Sequence, residues 1–116
     1  FIVAIELETT RGLAMEGPLS RVLGLAQRLS ESESVDIVCL TDNPGGHPHV
    51  RPEVLGQRIM DRGHEVVINV SCKDYNRNGI ESRLWALGST GFRNVLALSG
   101  DYPADGYAGP ARPVVT

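Results

Sequence analysis

Four short runs rich in Val, Ile and Leu, at residues 1–7, 35–40, 65–72 and 94–98, alternate along the chain with three stretches whose apolar residues fall at helical spacing. The runs recur about every thirty residues, the length of one βα unit. In the first intervening stretch Leu19, Val22, Leu23, Ala26 and Leu29 form one apolar stripe, and Pro18 suits the opening turn of a helix. In the second, Pro52 opens a run carrying Leu55, Ile59 and Met60, with Gly63 placed to end it. The third starts near Asn78, carries Ile80, Leu84, Trp85 and Leu87, and ends in the segment from Gly88 to Gly91, with Trp85 expected in the core. The strand runs are nearly continuous in apolar residues, as expected when both faces of a parallel sheet are covered.

The order β-α-β-α-β-α-β implies parallel strands joined by right-handed crossovers, an α/β fold. At this level a barrel fragment and an open doubly wound sheet both fit. The chain has 116 residues, enough for one core but short of the roughly 250 of a closed eight-stranded barrel. Its 41% apolar and 22% charged residues fit a soluble globular protein and speak against disorder or membrane spanning. A net charge of -3 lacks the basic excess that phosphate-backbone binding needs, so nucleic acid is not an expected partner. Cys39 and Cys72 sit in no metal-ligand spacing and read as reduced thiols of a cytoplasmic protein, with no metal site expected. The chain opens without Met and resembles no signal peptide, and it closes at Thr116 without a helix or cap. Residues 1–116 are therefore expected to be part of a longer chain, truncated at the C-terminus and poorly stable alone because strand edges would be left bare.

Polar residues cluster after each strand run: Glu6, Glu8 and Thr9; Thr41, Asp42 and Asn43; Asn69, Ser71, Lys73 and Asp74; Ser99, Gly100 and Asp101. Parallel strands bring all four clusters to one rim, where α/β folds place their sites. Ser34, Arg62, His64 and Arg93, at the other strand ends, read as solvated surface. For Asp42, Asn43 and Asp74 helix capping competes evenly with a site role. Glu6 interrupts an apolar strand, where an unpaired carboxylate is costly to bury. Gly100, before Asp101, would let a flat ligand approach the backbone. Gly45-Gly46-His47-Pro48-His49 reads as a flexible lid rather than a metal site, and neither GxGxxG nor a P-loop occurs.

Four segments carry a resemblance. Glu6-Leu-Glu-Thr-Thr-Arg-Gly12 resembles the Glu-x-x-Pro-Pro-[Lys/Arg] segment of the methylenetetrahydrofolate reductase family, and Cys39-Leu-Thr41 its Ser-Val-Thr. Asn69-Val-Ser-Cys-Lys-Asp74 is similar to the family's His-x-Thr-Cys-x-Asp, and the segment from Phe92 to Pro103 to its Gly-Ile-x-Asn-[Ile/Val]-Leu-Ala-Leu-x-Gly-Asp-x-Pro. The resemblance implies that 1–116 is the first half of a TIM (β/α)8 barrel, with strands 1 to 4 and three helices. It also implies non-covalent FAD and the reduction of 5,10-methylenetetrahydrofolate to 5-methyltetrahydrofolate, or the reverse, in one-carbon metabolism and methionine biosynthesis. By that analogy Glu6 is the general acid that opens the folate ring, and its carboxyl must be protonated when it acts. Asp101 orients the folate and adjusts the flavin, while Thr41, Asn69, Ser99, Gly100 and Asp101 match flavin-contacting positions. The implied partners are a folate, a reduced nicotinamide or another electron donor, and a second copy or a partner subunit.

The sequence departs from the family pattern at Thr9-Thr10, where the family has Pro-Pro, at Asp42-Asn43, where it has aromatic-Gly, and at Asn69, where it has His. These positions bear on flavin affinity and on the electron donor. Two other readings stand beside the enzyme: a non-catalytic flavodoxin-like α/β binding module, and a folate-binding partner subunit without redox activity.

Overall fold

The computed structural model describes residues 1–13 and 16–102. Four strands, β1 (Ala4–Leu7), β2 (Ile37–Leu40), β3 (Glu65–Ser71) and β4 (Asn94–Leu98), alternate with helices α1 (Glu16–Glu31), α2 (Pro52–Met60) and α3 (Arg77–Ser89). All pairings are parallel and the sheet order is β1-β2-β3-β4. Each strand thus lies beside its predecessor, as in a barrel wall. A flavodoxin-like sheet would place the second strand outside the first, so that alternative is overturned.

Successive right-handed crossovers with sequential order put all three helices on one face. There Leu7, Val38, Leu40, Val66, Ile68 and Val70 from the strands pack with Leu19, Ala26, Leu55, Ile59, Leu87 and Phe92. The apolar stripe of α1 is borne out, with Leu19 and Ala26 buried and Val22, Leu23 and Leu29 packed against the core. Pro52 occupies the first turn of α2, where its missing N–H costs nothing. That helix ends at Met60 with Asp61 as the C-cap, and Gly63 follows in the left-handed region at φ 84°. Asn76 caps α3 by accepting from the Gly79 amide at 2.7 Å, so this helix starts slightly before the expected Asn78.

Two expectations need correction. Trp85 is 67% exposed. The buried side of α3 is set by Arg83 and Leu87, one turn apart, and a residue two positions after Arg83 points about 200° away. The continuous apolar strands also predict cover on both sheet faces. Among the described residues, however, the apolar core lies on the helix side alone, the other face being exposed at Glu6, half-buried at Cys39 and Val67 and buried at Asn69, and every residue of β4 is exposed. The Pro/Gly-rich stretch beyond Tyr102 lies outside the described residues.

Gly56 of α2 is the tightest point between helix and sheet. A Cβ there would stand 2.9 Å from Ile68 Cδ1, 3.0 Å from Phe92 Cε1 and 3.2 Å from Leu40 Cδ1. Gly56→Val should lower stability by about 1–3 kcal/mol through overpacking, read from the urea midpoint of the full-length protein.

Candidate functional site

The C-terminal ends of the four strands share one rim, as the polar clusters predict. Strand alternation sets its inner face, opposite the helices. Glu6 is in register with Cys39, and Cys39 with Val67, which pairs with Asn94. One pleat further up, Thr41 follows Leu40, and Asn69 pairs with Leu96. Glu6 is exposed on this face rather than buried as its apolar strand suggested, because no described residue covers it. The Cys39 thiol beside it is pushed up from its ordinary value, first by burial and then by the Glu6 charge. Thr41 is buried and its hydroxyl donates to the Leu7 carbonyl at 3.4 Å. Asn69 is buried too, and its Oδ1 has no hydrogen-bond partner among the described residues.

Gly100, two residues beyond the end of β4, has φ 87° and lies close against Ser71. A Cβ at Gly100 would come within 2.9 Å of the Ser71 Cβ. The close approach expected of a ligand is here made by the neighbouring strand end. Asp101, exposed, reaches across β3: its Oδ2 accepts from the Gly45 amide at 2.7 Å, in the turn Pro44–Gly46. Ser99 is exposed, and its carbonyl accepts from the Lys73 amide at 3.0 Å. Lys73 Nζ sits 3.8 Å from the centre of the Tyr102 ring, a cation–π contact at the same rim.

The rim's strongest interactions involve residues to which the sequence assigned no site role or a competing one. Asp42 is not a helix cap. Its Oδ2 accepts from the Ser71 amide and from Arg83 Nη1, both at 2.8 Å, and Oδ1 accepts from the Tyr75 hydroxyl at 3.4 Å. Arg83 also donates Nη2 to Glu53 at 2.8 Å and Nη1 to the Tyr75 hydroxyl at 2.9 Å. The Arg83 and Asp42 side chains are 2% and 1% exposed, so this ion pair is buried. Nor does Asn43 cap a helix. It sits in the left-handed region at φ 47°, its Nδ2 donates to Asp74 at 3.0 Å, and its Oδ1 accepts from the His49 amide at 2.9 Å. Asp74 thereby anchors the neighbouring loop, and the cap of α3 is Asn76. The segment read as a flexible lid is pinned by Asp101, Asn43 and Asp74 together. His49 Nδ1 lies 3.0 Å from the His47 carbonyl. No group of three or more His, Cys, Asp or Glu that could hold a metal occurs among the described residues. Of the residues at the opposite ends, Ser34, Arg62 and Arg93 are exposed, but His64 is half-buried and its Nε2 lacks a partner.

The family model for methylenetetrahydrofolate reductase matches residues 4–113 of the 116. The chain belongs to the methylenetetrahydrofolate reductase family. Searches of curated proteins and of solved structures returned no match. Membership suggests a folate-related oxidoreductase, and no described helix is long and apolar enough to cross a membrane. Two of the departures from the family pattern have local causes. Thr9 is buried and its hydroxyl donates to the Val50 carbonyl at 2.6 Å, while the Val50 amide donates to the Thr10 carbonyl at 2.8 Å. Threonine thus supplies a donor that proline lacks and clamps the loop after β1 to the entry of α2. Asp42 belongs with Arg83, a pairing invisible until α3 is folded against the strand ends.

Two outcomes test the buried cluster. Arg83→Met leaves the Asp42 carboxylate buried without its cation and should cost about 3–5 kcal/mol of stability, measured by denaturant titration. The second concerns Tyr75, whose phenol is pushed up to about 12, chiefly by burial and then by the Asp42 charge, against the lowering effects of Arg83 and Arg51. A pKa raised above the ordinary value near 10 stabilises the fold below that pH, and the contribution is lost as pH climbs toward 12. The stability difference between the native protein and Tyr75→Phe should therefore shrink between about pH 10 and 12, and a difference flat over that range would remove Tyr75 from the cluster's electrostatics.

Proposed function

We propose that this chain supplies the first four strands of a βα barrel that reduces 5,10-methylenetetrahydrofolate to 5-methyltetrahydrofolate with FAD, or catalyses the reverse. The observation that carries the reading is the inner face of the rim. There an exposed carboxylate, Glu6, and a buried acceptor without a partner, Asn69 Oδ1, lie on the same side of one sheet in a chain of this family. An acceptor left bare at a buried site costs about 1–3 kcal/mol, which a donor group of a bound ligand would offset. The imide N–H of a flavin pyrimidine ring is such a donor, so Asn69 fits the cofactor. Ser99 stands further up the rim, exposed and level with Lys73, and Gly100 beyond the end of β4 brings no side chain. Thr41 fits less well as a donor, since its hydroxyl proton is directed to Leu7. Asn69, Ser99, Gly100 and Asp101 would hold the FAD, with Thr41 packing beneath them.

When bound, FAD supplies the hydride for the reduction. The chain's own carboxyls supply the rest. Glu6, on the inner face and open to a ligand, delivers a proton to the folate ring nitrogen as the five-membered ring opens. Asp101, held by Gly45, accepts hydrogen bonds from the pterin and fixes its orientation. The electron donor is a reduced nicotinamide or another reductant, and the full enzyme works in the cytoplasm as a homo-oligomer or beside a partner subunit.

Glu6→Gln in the full-length flavoprotein should keep its yellow absorbance and normal flavin reduction while folate turnover falls about 10²–10⁴-fold in kcat. Asp101→Asn should instead raise the KM for folate and raise the flavin potential, because a negative charge near the ring is lost. Colourless full-length protein that still binds folate would point to a partner subunit. Normal folate reduction in both variants would leave only the family and the fold.

A further inference from the structure

The cluster around Arg83 contains two carboxylates for one guanidinium, Glu53 and Asp42, with Asp42 the more deeply buried. For stability alone this is an expensive arrangement, since Glu53 already neutralises the cation and a second buried carboxylate brings its own desolvation cost. Asp42 makes its further contacts at the rim. β2 stops at Leu40 while β3 runs on to Ser71, so the Ser71 amide has no strand partner on that side. The Asp42 carboxylate takes that amide, and the Asp42 carbonyl accepts from the Ser71 hydroxyl at 2.8 Å. Ser71 in turn is the surface on which Gly100 rests, with no room for even one added carbon. Asp42 also precedes the segment in which Asn43, bonded to Asp74, leads into the Gly45 amide that holds Asp101. One attachment of Asp101, through Gly100 to β3, therefore runs by way of Ser71 to Asp42, and the other, through Gly45, belongs to the loop that begins at Asp42.

We propose that the buried Asp42–Arg83 pair is a positioning element that sets the orientation of Asp101 at the rim. Arg83 holds the Asp42 carboxylate in the plane where it meets the Ser71 amide. Ser71 then seats Gly100 at φ 87°. The turn Pro44–Gly46 closes over from the other side. That Asp101 acts on folate rests on the function proposed above; that its position depends on Asp42 does not.

The test uses the full-length, flavin-loaded protein and two independent readings. In the first, hydrogen exchange is followed over the segment 43–47. Asp101→Asn and Asp42→Asn should each speed exchange at the Gly45 amide by about tenfold, because each weakens the same attachment. Unchanged protection in Asp42→Asn would overturn the proposal whatever happens to activity. In the second, a double-mutant cycle is read in the KM for folate. If Asp42 acts through Asp101, each single substitution should raise KM by about tenfold and the double should match the larger single effect. Multiplying effects would show that Asp42 supports only the fold, and this too would overturn the proposal. Should Asp101→Asn leave folate reduction untouched, the functional reading falls, and the exchange measurement alone decides the positioning claim. Arg83→Lys, which keeps a charge but not the fork that spans Asp42 and Glu53, replaces Asp42→Asn if the latter fails to fold, and the same outcomes decide.

Discussion

The architecture of the rim depends on one buried contact, the 2.8 Å ion pair between Arg83 and Asp42. Three elements meet in it: the end of β2, the middle of α3 and, through Glu53, the start of α2. Burying ions is unfavourable unless their hydrogen-bonding capacity is filled. Here it is filled on the carboxylate by Ser71, Arg83 and Tyr75, and on the guanidinium by Asp42, Glu53 and Tyr75. Burial by itself would push the Arg83 cation down, but the bonds to Glu53 and Asp42 outweigh it and the net direction is up. The arginine thus stays charged at any pH the fold survives, and the pair acts as a fixed strut.

Much of the fold was legible from the chain alone because apolar runs and helical stripes report burial directly. The strand at Asn94–Leu98 and the stripe from Leu19 to Leu29 are where their patterns place them. Errors arose where burial is decided by a partner distant in sequence. Trp85 looks like core by spacing, yet Arg83 takes the buried position of α3, since a helix with little apolar asymmetry can be turned by a single ion pair. The first strand is shorter than its apolar run, because β2 offers partners only from Ile37 to Leu40 and leaves Phe1 and Ile2 exposed.

The candidate site divides in the same way. Parallel topology alone brings Glu6, Thr41, Asn69 and Asp101 to one rim, so their grouping was readable. What each one touches was not. Asp42, Asn43 and Asp74 follow strands, as capping residues do, but each bonds to a residue 29 or 31 positions away in the chain, and Asn43 also to the loop itself. No local pattern marks Arg83 as their counterpart. Thr9 reads as a departure from the family's proline pair until its hydroxyl's bond to the Val50 carbonyl shows what it holds.

The sequential strand order carries a consequence for biosynthesis. Each strand finds its neighbour already made, so the sheet can grow from the N-terminus as the chain leaves the ribosome, without waiting for a distant segment. The contact between Arg83 and Asp42 spans 41 residues and breaks that pattern. Until α3 has been synthesised, β1 and β2 can be in place while the Asp42 carboxylate still faces solvent. The rim is therefore completed in two later steps, Arg83 arriving with α3 and Asp101 after β4, so a nascent chain can hold β1 to β3 before it holds its site.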